Sequence, residues 1–127
     1  MNLVIEHVGL WCQDIEAMRH FYETYFGAKS SEKYHNPTSG FSSYFLTFSS
    51  GARLELCHRS DIKEGDKATF GLTHLAFSLG SKEAVDAFAD KMQDSDFPIV
   101  NGPRTTGDGY YEAVIFDPEG NQLELTI

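Results

Sequence analysis

The chain has 127 residues, with 10 basic and 19 acidic side chains and a formal net charge of −9. A chain this short is expected to form one domain or two small modules, and its 41% hydrophobic and 23% charged residues are typical of a globular protein. The acidity argues against nucleic-acid binding, which needs a basic face, and no apolar run approaches the ~18 residues of a membrane span.

The amino terminus and the cysteines indicate where the protein works. The start of the chain lacks basic residues and meets a charge at Glu6, so it does not predict a secretory signal. The only two cysteines, Cys12 and Cys57, are too few for a disulfide framework and predict reduced thiols. We therefore expect a cytoplasmic protein with a small-molecule partner and no nucleic-acid or membrane partner.

The sequence contains an internal repeat. Two short β-type segments each have a histidine in their middle: residues 5–10 contain His7, and residues 72–77 contain His74. The pattern Gly-x-x-Leu-Glu-Leu also occurs twice, and its glutamates are Glu55 and Glu124. The histidines are 67 residues apart and the glutamates 69, so two independent landmarks agree on one offset. This agreement predicts two copies of one structural unit.

The elements predicted in chain order are the same in each half. After the first strand, Asp14 is expected to cap a helix that ends at Gly27, and Ser81 is expected to cap the matching helix of the second half. Strands are predicted at 28–34, 41–48 and 52–58, and then at 98–102, 110–116 and 122–127. Each half is therefore a βαβββ module, 1–60 and 70–127, and the polar segment 59–69 is the predicted linker. The predicted fold class is α+β.

Strand periodicity places the four landmark residues away from the apolar faces. Alternation puts His7 on the face opposite Val4, Glu6, Val8 and Leu10, and it separates Glu55 and Glu124 from the leucines beside them. The neighbours two residues after the histidines are small, Gly9 and Ala76, which leaves space beside each imidazole. Two imidazoles and two carboxylates suit a divalent cation such as Zn²⁺, Ni²⁺, Co²⁺, Mn²⁺ or Fe²⁺.

The sequence resembles the vicinal oxygen chelate superfamily of glyoxalases, bleomycin resistance proteins and dioxygenases, on its glyoxalase I branch. The resemblance covers essentially the whole chain. It is carried by His7, by the helix segment DIEAMRHFY with the following Phe26-Gly27, by Leu54-Glu55-Leu56, by Thr73-His74-Leu75-Ala76-Phe77 and by the segment DPEGNQLEL at 117–125.

This resemblance implies a fold, a metal site and a reaction. The paired modules would curl eight strands of a mixed sheet into a cup, within one chain or across a homodimer. The family's metal ligands match His7, Glu55, His74 and Glu124 of this chain. The resemblance implies one divalent ion per site, with Ni²⁺ or Zn²⁺ as the first candidates and Co²⁺, Mn²⁺ or Fe²⁺ as the others. The implied activity is that of a lyase or isomerase, which converts the hemithioacetal of a thiol and a 2-oxoaldehyde into a thioester through an enediolate. Glu124 is the first choice for the catalytic base and Glu55 the second.

Two positions depart from glyoxalase I enzymes that use glutathione. Trp11 stands where an arginine usually holds a glutathione carboxylate, and Arg59 stands in place of an asparagine that contacts the same thiol. We therefore expect Trp11, Arg59 and Arg104 to line a site for a different substrate, one that is not linked to glutathione.

Three alternatives on the same scaffold differ in their ligands. A metal-dependent thiol transferase or epimerase, such as a fosfomycin-resistance-like enzyme, usually lacks one of the four ligands. A ring-cleaving dioxygenase would need two histidines and one carboxylate with open iron positions. A bleomycin-resistance-like binding protein typically loses the liganding residues altogether.

Overall fold

The computed structural model describes residues 1–66 and 68–127. Lys67, which belongs to the predicted linker, lies outside the described residues. The chain divides into two compact units, Met1–Gly65 and Asp66–Ile127. No helix in the described part of the chain is long and apolar enough to cross a membrane.

The first unit has one helix and one mixed sheet. In this sheet β1 pairs in parallel with β5, β5 pairs antiparallel with β4, and β4 pairs with both β2 and β3. Its elements are β1 (His7–Trp11), α1 (Ile15–Phe26), β2 (Lys29–Ser30), β3 (Tyr34–His35), β4 (Ser42–Thr47) and β5 (Arg53–His58).

The second unit repeats this arrangement with four strands. Its sheet has the order β6-β9-β8-β7, in which β6 and β9 are parallel and the other pairs are antiparallel. Its elements are β6 (His74–Ser78), α2 (Lys82–Gln93), β7 (Asn101–Thr105), β8 (Tyr111–Phe116) and β9 (Gln122–Thr126). The predicted order of strand, helix and three strands is thus present in this unit.

Two predicted strands are wrong in detail. The strand expected at 28–34 is two short strands, β2 and β3, because the Ser31 hydroxyl accepts the Phe45 N–H that a continuous ladder would use. The strand expected at 98–102 lies later, at Asn101–Thr105. The backbone N–H of Ile99 donates to the Gln93 side chain at the end of α2, and the strand continues through Pro103 because β7 is an edge strand.

Each helix covers the apolar face of its own sheet. Met18 and Tyr22 of α1 are fully buried, as are Val85 and Met92 of α2. The sheet residues that are buried on this side are Leu46, Leu54, Leu56, Ala113, Ile115, Leu123 and Leu125. Burial of these side chains supplies most of the stabilisation and leaves the opposite face of each sheet for polar groups.

The predicted helix caps are present. The Asp14 carboxylate accepts the Ala17 N–H at 2.9 Å, the Ser81 hydroxyl accepts the Ala84 N–H at 3.1 Å, and Gly27 ends α1 with φ of 64°. A left-handed φ of this kind is easily reached only by glycine, which explains why the helix stops there.

Removing the first cap is expected to destabilise the protein measurably. Asp14→Ala should lower the free energy of unfolding by about 0.5–2 kcal/mol, because an N–H at the start of α1 loses its acceptor. Asp14→Asn keeps an acceptor oxygen and should retain most of the stability. Urea unfolding of the three proteins checks this, and equal losses in both variants would contradict a capping role for Asp14.

Candidate functional site

In the first unit, His7 and Glu55 lie side by side on neighbouring parallel strands. His7 Nε2 is 3.7 Å from Glu55 Oε1, and the side chains are 41% and 18% exposed. Gly9 is the strand partner of Glu55, and a Cβ added at Gly9 would have only Cys57 Sγ within 4 Å, at 4.0 Å. The space beside the pair is therefore open, as the small residue at this position predicts.

In the second unit, His74 and Glu124 form the same arrangement. His74 Nε2 is 3.2 Å from Glu124 Oε2, and the side chains are 35% and 17% exposed. Ala76 is the strand partner of Glu124, just as Gly9 is the partner of Glu55. The two pairs thus occupy equivalent register positions on β1 and β5 and on β6 and β9.

The leucines that flank each glutamate lie on the other side of the strand. Leu54 and Leu56 are at most 3% exposed, and Leu123 and Leu125 are fully buried. Strand alternation therefore directs each carboxylate away from the core of its unit. In each unit the sheet face opposite the helix therefore carries the imidazole and the carboxylate of the pair.

The Glu6 carboxylate lies beside His7, which strand periodicity did not predict. Periodicity predicts Glu6 on the face opposite His7, but β1 begins only at His7, so Glu6 does not follow the strand alternation. Its carboxylate contacts His7 Nδ1 at 3.0 Å and accepts two hydrogen bonds from the Arg53 guanidinium. Hydrogen bonds from Arg53 and then His7 lower the pKa of Glu6 to about 2.

Arg53 and Phe45 complete this side of the first unit. The Arg53 guanidinium lies 4.2 Å from the centre of the Phe45 ring, and the Phe45 and His7 rings are nearly perpendicular with their centroids 5.2 Å apart. Phe45 is also the antiparallel strand partner of Glu55. The imidazole is therefore bounded by an aromatic ring and by an ion pair.

A different neighbour lies beside Glu124. Glu112 of β8 points to the same sheet face, because it is the strand partner of Thr126, two residues after Glu124. Burial, and then the adjacent Glu124 carboxylate, raise the pKa of Glu112. Arg104 is the strand partner of Glu112 on β7, and its charge opposes this rise. Glu112 was not predicted from the sequence, although counting back along the β8–β9 hairpin would have identified it.

Two of the three predicted substrate-lining residues meet in the first unit. The Arg59 guanidinium lies 5.2 Å from the centre of the Trp11 ring, and Trp11 is 48% exposed. Phe41 packs edge-on against Trp11 at 6.1 Å, and Tyr34 lies 6.2 Å from Phe41. Arg59 also forms a two-point ion pair with Asp61, at 2.5 and 3.2 Å. The third predicted residue, Arg104, lies in the second unit beside Glu112.

Comparison with known proteins decides the family. The sequence model of the Glyoxalase/Bleomycin resistance protein/Dioxygenase superfamily matches residues 4–125. The chain belongs to this superfamily.

Individual relatives agree with this assignment. The chain is 27% identical to the uncharacterized protein YqjT of Bacillus subtilis (strain 168), over 95% of this chain and 96% of that protein. A solved glyoxalase family protein from Enterococcus faecalis is 25% identical, with a TM-score of 0.79 over 97% of this chain and 96% of that one. The fold is also that of Leishmania major glyoxalase I, described as trypanothione-dependent, at 23% identity and a TM-score of 0.77 over 98% and 86% of the two chains. The α+β fold of two tandem modules is thereby confirmed.

The donors on the two sheets of this superfamily member fit a divalent cation. Imidazole nitrogen and carboxylate oxygen are the ligands that Zn²⁺, Ni²⁺ and related ions take, and each unit brings one of each to within 4 Å. Among residues 1–66 and 68–127, no group of three or more His, Cys, Asp or Glu side chains is placed to hold an ion. Each unit thus presents two possible donors, one imidazole and one carboxylate.

Cys57 shares the sheet face of Glu55 and is nearly buried. Burial, and then the Glu55 carboxylate, raise the pKa of the Cys57 thiol to about 11. Because the thiolate is the reactive form, Cys57 is not suited to act as a nucleophile near neutral pH.

Proposed function

We propose that this protein is a divalent-metal-dependent lyase or isomerase of the glyoxalase I type. Its substrate would be a small adduct of a thiol and a 2-oxoaldehyde, and its product a thioester. His7, Glu55, His74 and Glu124 would hold one ion per site, with Ni²⁺ or Zn²⁺ as first candidates. The four ligands would come from one chain or, across a homodimer, from two.

One observation carries this proposal. An imidazole and a carboxylate occur at the same register positions in both units, 3.7 Å apart in one and 3.2 Å apart in the other. Without a shared role, a histidine and a glutamate would each have to occur by chance at the same position and on the same sheet face in both units. A repeated pair of metal-binding side chains explains it directly.

The chain's own residues have distinct roles in this chemistry. A bound divalent cation would polarise the substrate carbonyl, which makes the proton on the adjacent carbon easier to remove. Glu124 would accept that proton as the general base, and Glu55 is the second candidate for this role. Both carboxylates are largely shielded from water but still reachable, with side-chain exposures of 17% and 18%.

The surroundings of Trp11 support a substrate that is not linked to glutathione. Asp61 accepts hydrogen bonds from Nε and Nη2 of Arg59, so one of the edges with which this guanidinium could bind a substrate carboxylate is already occupied. Trp11 and Phe41 offer an aromatic surface in its place. We expect the thiol to differ from glutathione at the end that reaches this surface.

Metal analysis followed by a thioester assay tests the proposed function. The purified protein should contain about one divalent ion per site, and chelation should abolish thioester formation from methylglyoxal and a matching thiol. Added Ni²⁺ or Zn²⁺ should restore it, and glutathione should be a poor thiol in the same panel. A protein that binds no ion would contradict the proposal.

A bleomycin-resistance-like binding protein is the second candidate. The aromatic cluster of Trp11, Tyr34 and Phe41 favours it, because Trp11 and Tyr34 are exposed and aromatic side chains commonly line the binding sites of small molecules. Ligand binding that persists unchanged after chelation, together with inactivity towards every thiol tested, would support this candidate over the enzyme.

A further inference from the structure

Glu6 contacts the one nitrogen of His7 that does not face Glu55. Its Oε1 lies 3.0 Å from His7 Nδ1, whereas His7 Nε2 lies on the side of Glu55. The two ring nitrogens therefore face two different carboxylates. Which nitrogen carries the proton in the neutral ring decides which one has a lone pair for a metal ion.

The contact with Glu6 favours one tautomer. A carboxylate at neutral pH accepts hydrogen bonds and cannot donate them, so the nitrogen that it contacts at 3.0 Å must be the one that donates. The proton is then on Nδ1, and Nε2 is left with its lone pair. At 3.7 Å from Glu55 Oε1, Nε2 is beyond the length of a good hydrogen bond, so its contact with Glu55 does not oppose this choice.

Arg53 holds the Glu6 carboxylate in place. Its Nη2 donates to Oε1 at 2.6 Å and its Nε donates to Oε2 at 2.9 Å, while its backbone N–H donates to the Glu6 carbonyl at 2.8 Å. Arg53 is also the strand partner of His7. One residue of β5 thus fixes both the main chain and the side chain of Glu6 beside the imidazole.

The second unit lacks these two residues. At the positions that match Glu6 and Arg53, the chain has Thr73 and Gln122. Gln122 is the strand partner of His74, as Arg53 is of His7. The two histidines therefore occupy equivalent places in the sheet but differ in what can orient the ring.

We propose that Glu6, clamped by Arg53, is a positioning residue that holds His7 as the Nδ1–H tautomer and presents the Nε2 lone pair on the side of Glu55. The effect on metal affinity rests on the proposed function, whereas the tautomer itself is a property of the metal-free protein. Carboxylates that fix the tautomer of a liganding histidine typically contribute a factor of ~10–100 to metal affinity.

Two-bond ¹H–¹⁵N correlation spectra of the histidine rings test this directly. The spectra are recorded on the metal-free, full-length protein at alkaline pH, where the ring ¹⁵N shifts themselves distinguish the two neutral tautomers. The His7 ring is assigned by its loss in His7→Gln. We expect His7 to be the Nδ1–H tautomer, and we expect Glu6→Thr, which gives the first unit the residue that the second unit has, to shift it towards a mixture. The His74 ring is observed in the same spectra and should not change.

Glu32→Thr is the matched control, because it removes the same charge from an exposed position of the first unit. Glu6→Ala is the second variant, and circular dichroism checks that each variant is folded. Titration with Zn²⁺ should show a loss of ~10–100-fold in affinity for both Glu6 variants and none for Glu32→Thr. A His7 ring that is Nε2–H in the wild-type protein, or unchanged in both folded Glu6 variants, would overturn the inference. A wild-type protein that binds no Zn²⁺ would contradict the proposed function, while the ring spectra would still decide the role of Glu6.

Discussion

Replacing Glu124 with glutamine is expected to lower the rate of thioester formation by ~10²–10⁴-fold, the range by which a positioned general base accelerates proton transfer. The amide keeps the size of the side chain and an oxygen near His74, but it cannot accept the substrate proton. Glu55→Gln should cause a smaller loss if Glu124 is the base. Initial rates at saturating metal, with the thiol that the wild-type protein uses best, provide the measurement.

The control for this substitution is Glu64→Gln, which removes a charge from an exposed residue of the predicted linker. A second readout does not depend on activity. Because the Glu124 carboxylate contributes to the raised pKa of Glu112, Glu124→Gln should lower the pKa of Glu112 in a ¹³C NMR titration. If the variant shows this shift and keeps wild-type rates, Glu124 is not the base.

Replacing His74 with asparagine is expected to weaken metal binding by more than ~100-fold. Loss of a direct ligand should cost at least as much as loss of the outer contacts that orient a ligand, which is ~10–100-fold. The asparagine side chain is shorter and offers no imidazole nitrogen beside Glu124, where Nε2 now lies 3.2 Å from the carboxylate. Competition with a chromophoric chelator measures the affinity for Zn²⁺ and for Ni²⁺.

His20→Asn is the matched control, since His20 is exposed on α1 and its ring contacts only the Thr24 hydroxyl, at 3.5 Å, among the hydrogen bonds of the described residues. Equal affinities in His74→Asn, His20→Asn and the wild-type protein would contradict a ligand role for His74. A loss in His74→Asn alone, with unchanged thermal unfolding, would support it.

The repeat and the periodicity of side chains predicted most of the architecture. Helix boundaries at Asp14, Gly27 and Ser81 follow from local capping chemistry, which a sequence shows directly. The alternation of Leu54 and Leu56 with Glu55 likewise predicted the face of the carboxylate, because burial of leucine fixes the register of a strand.

The details that the sequence did not predict depend on contacts between distant residues. The side chain of Ser31 interrupts a strand only because it meets Phe45, and Gln93 shifts the start of β7 only because it meets Ile99. Glu6 reaches His7 because Arg53, 47 residues further along the chain, holds it there. Periodicity describes one strand at a time, so it carries no information about such pairs.

The two sheets place their glutamates at matching register positions, but the charged groups around the two glutamates differ. Arg53 places a positive charge near Glu55, whereas Glu112 adds a carboxylate next to Glu124. Each unit supplies these neighbours itself, so a substitution in one repeat can change the immediate surroundings of the carboxylate in that repeat. A duplicated scaffold of this kind can diverge in reactivity while the backbone positions of its four donor residues stay the same.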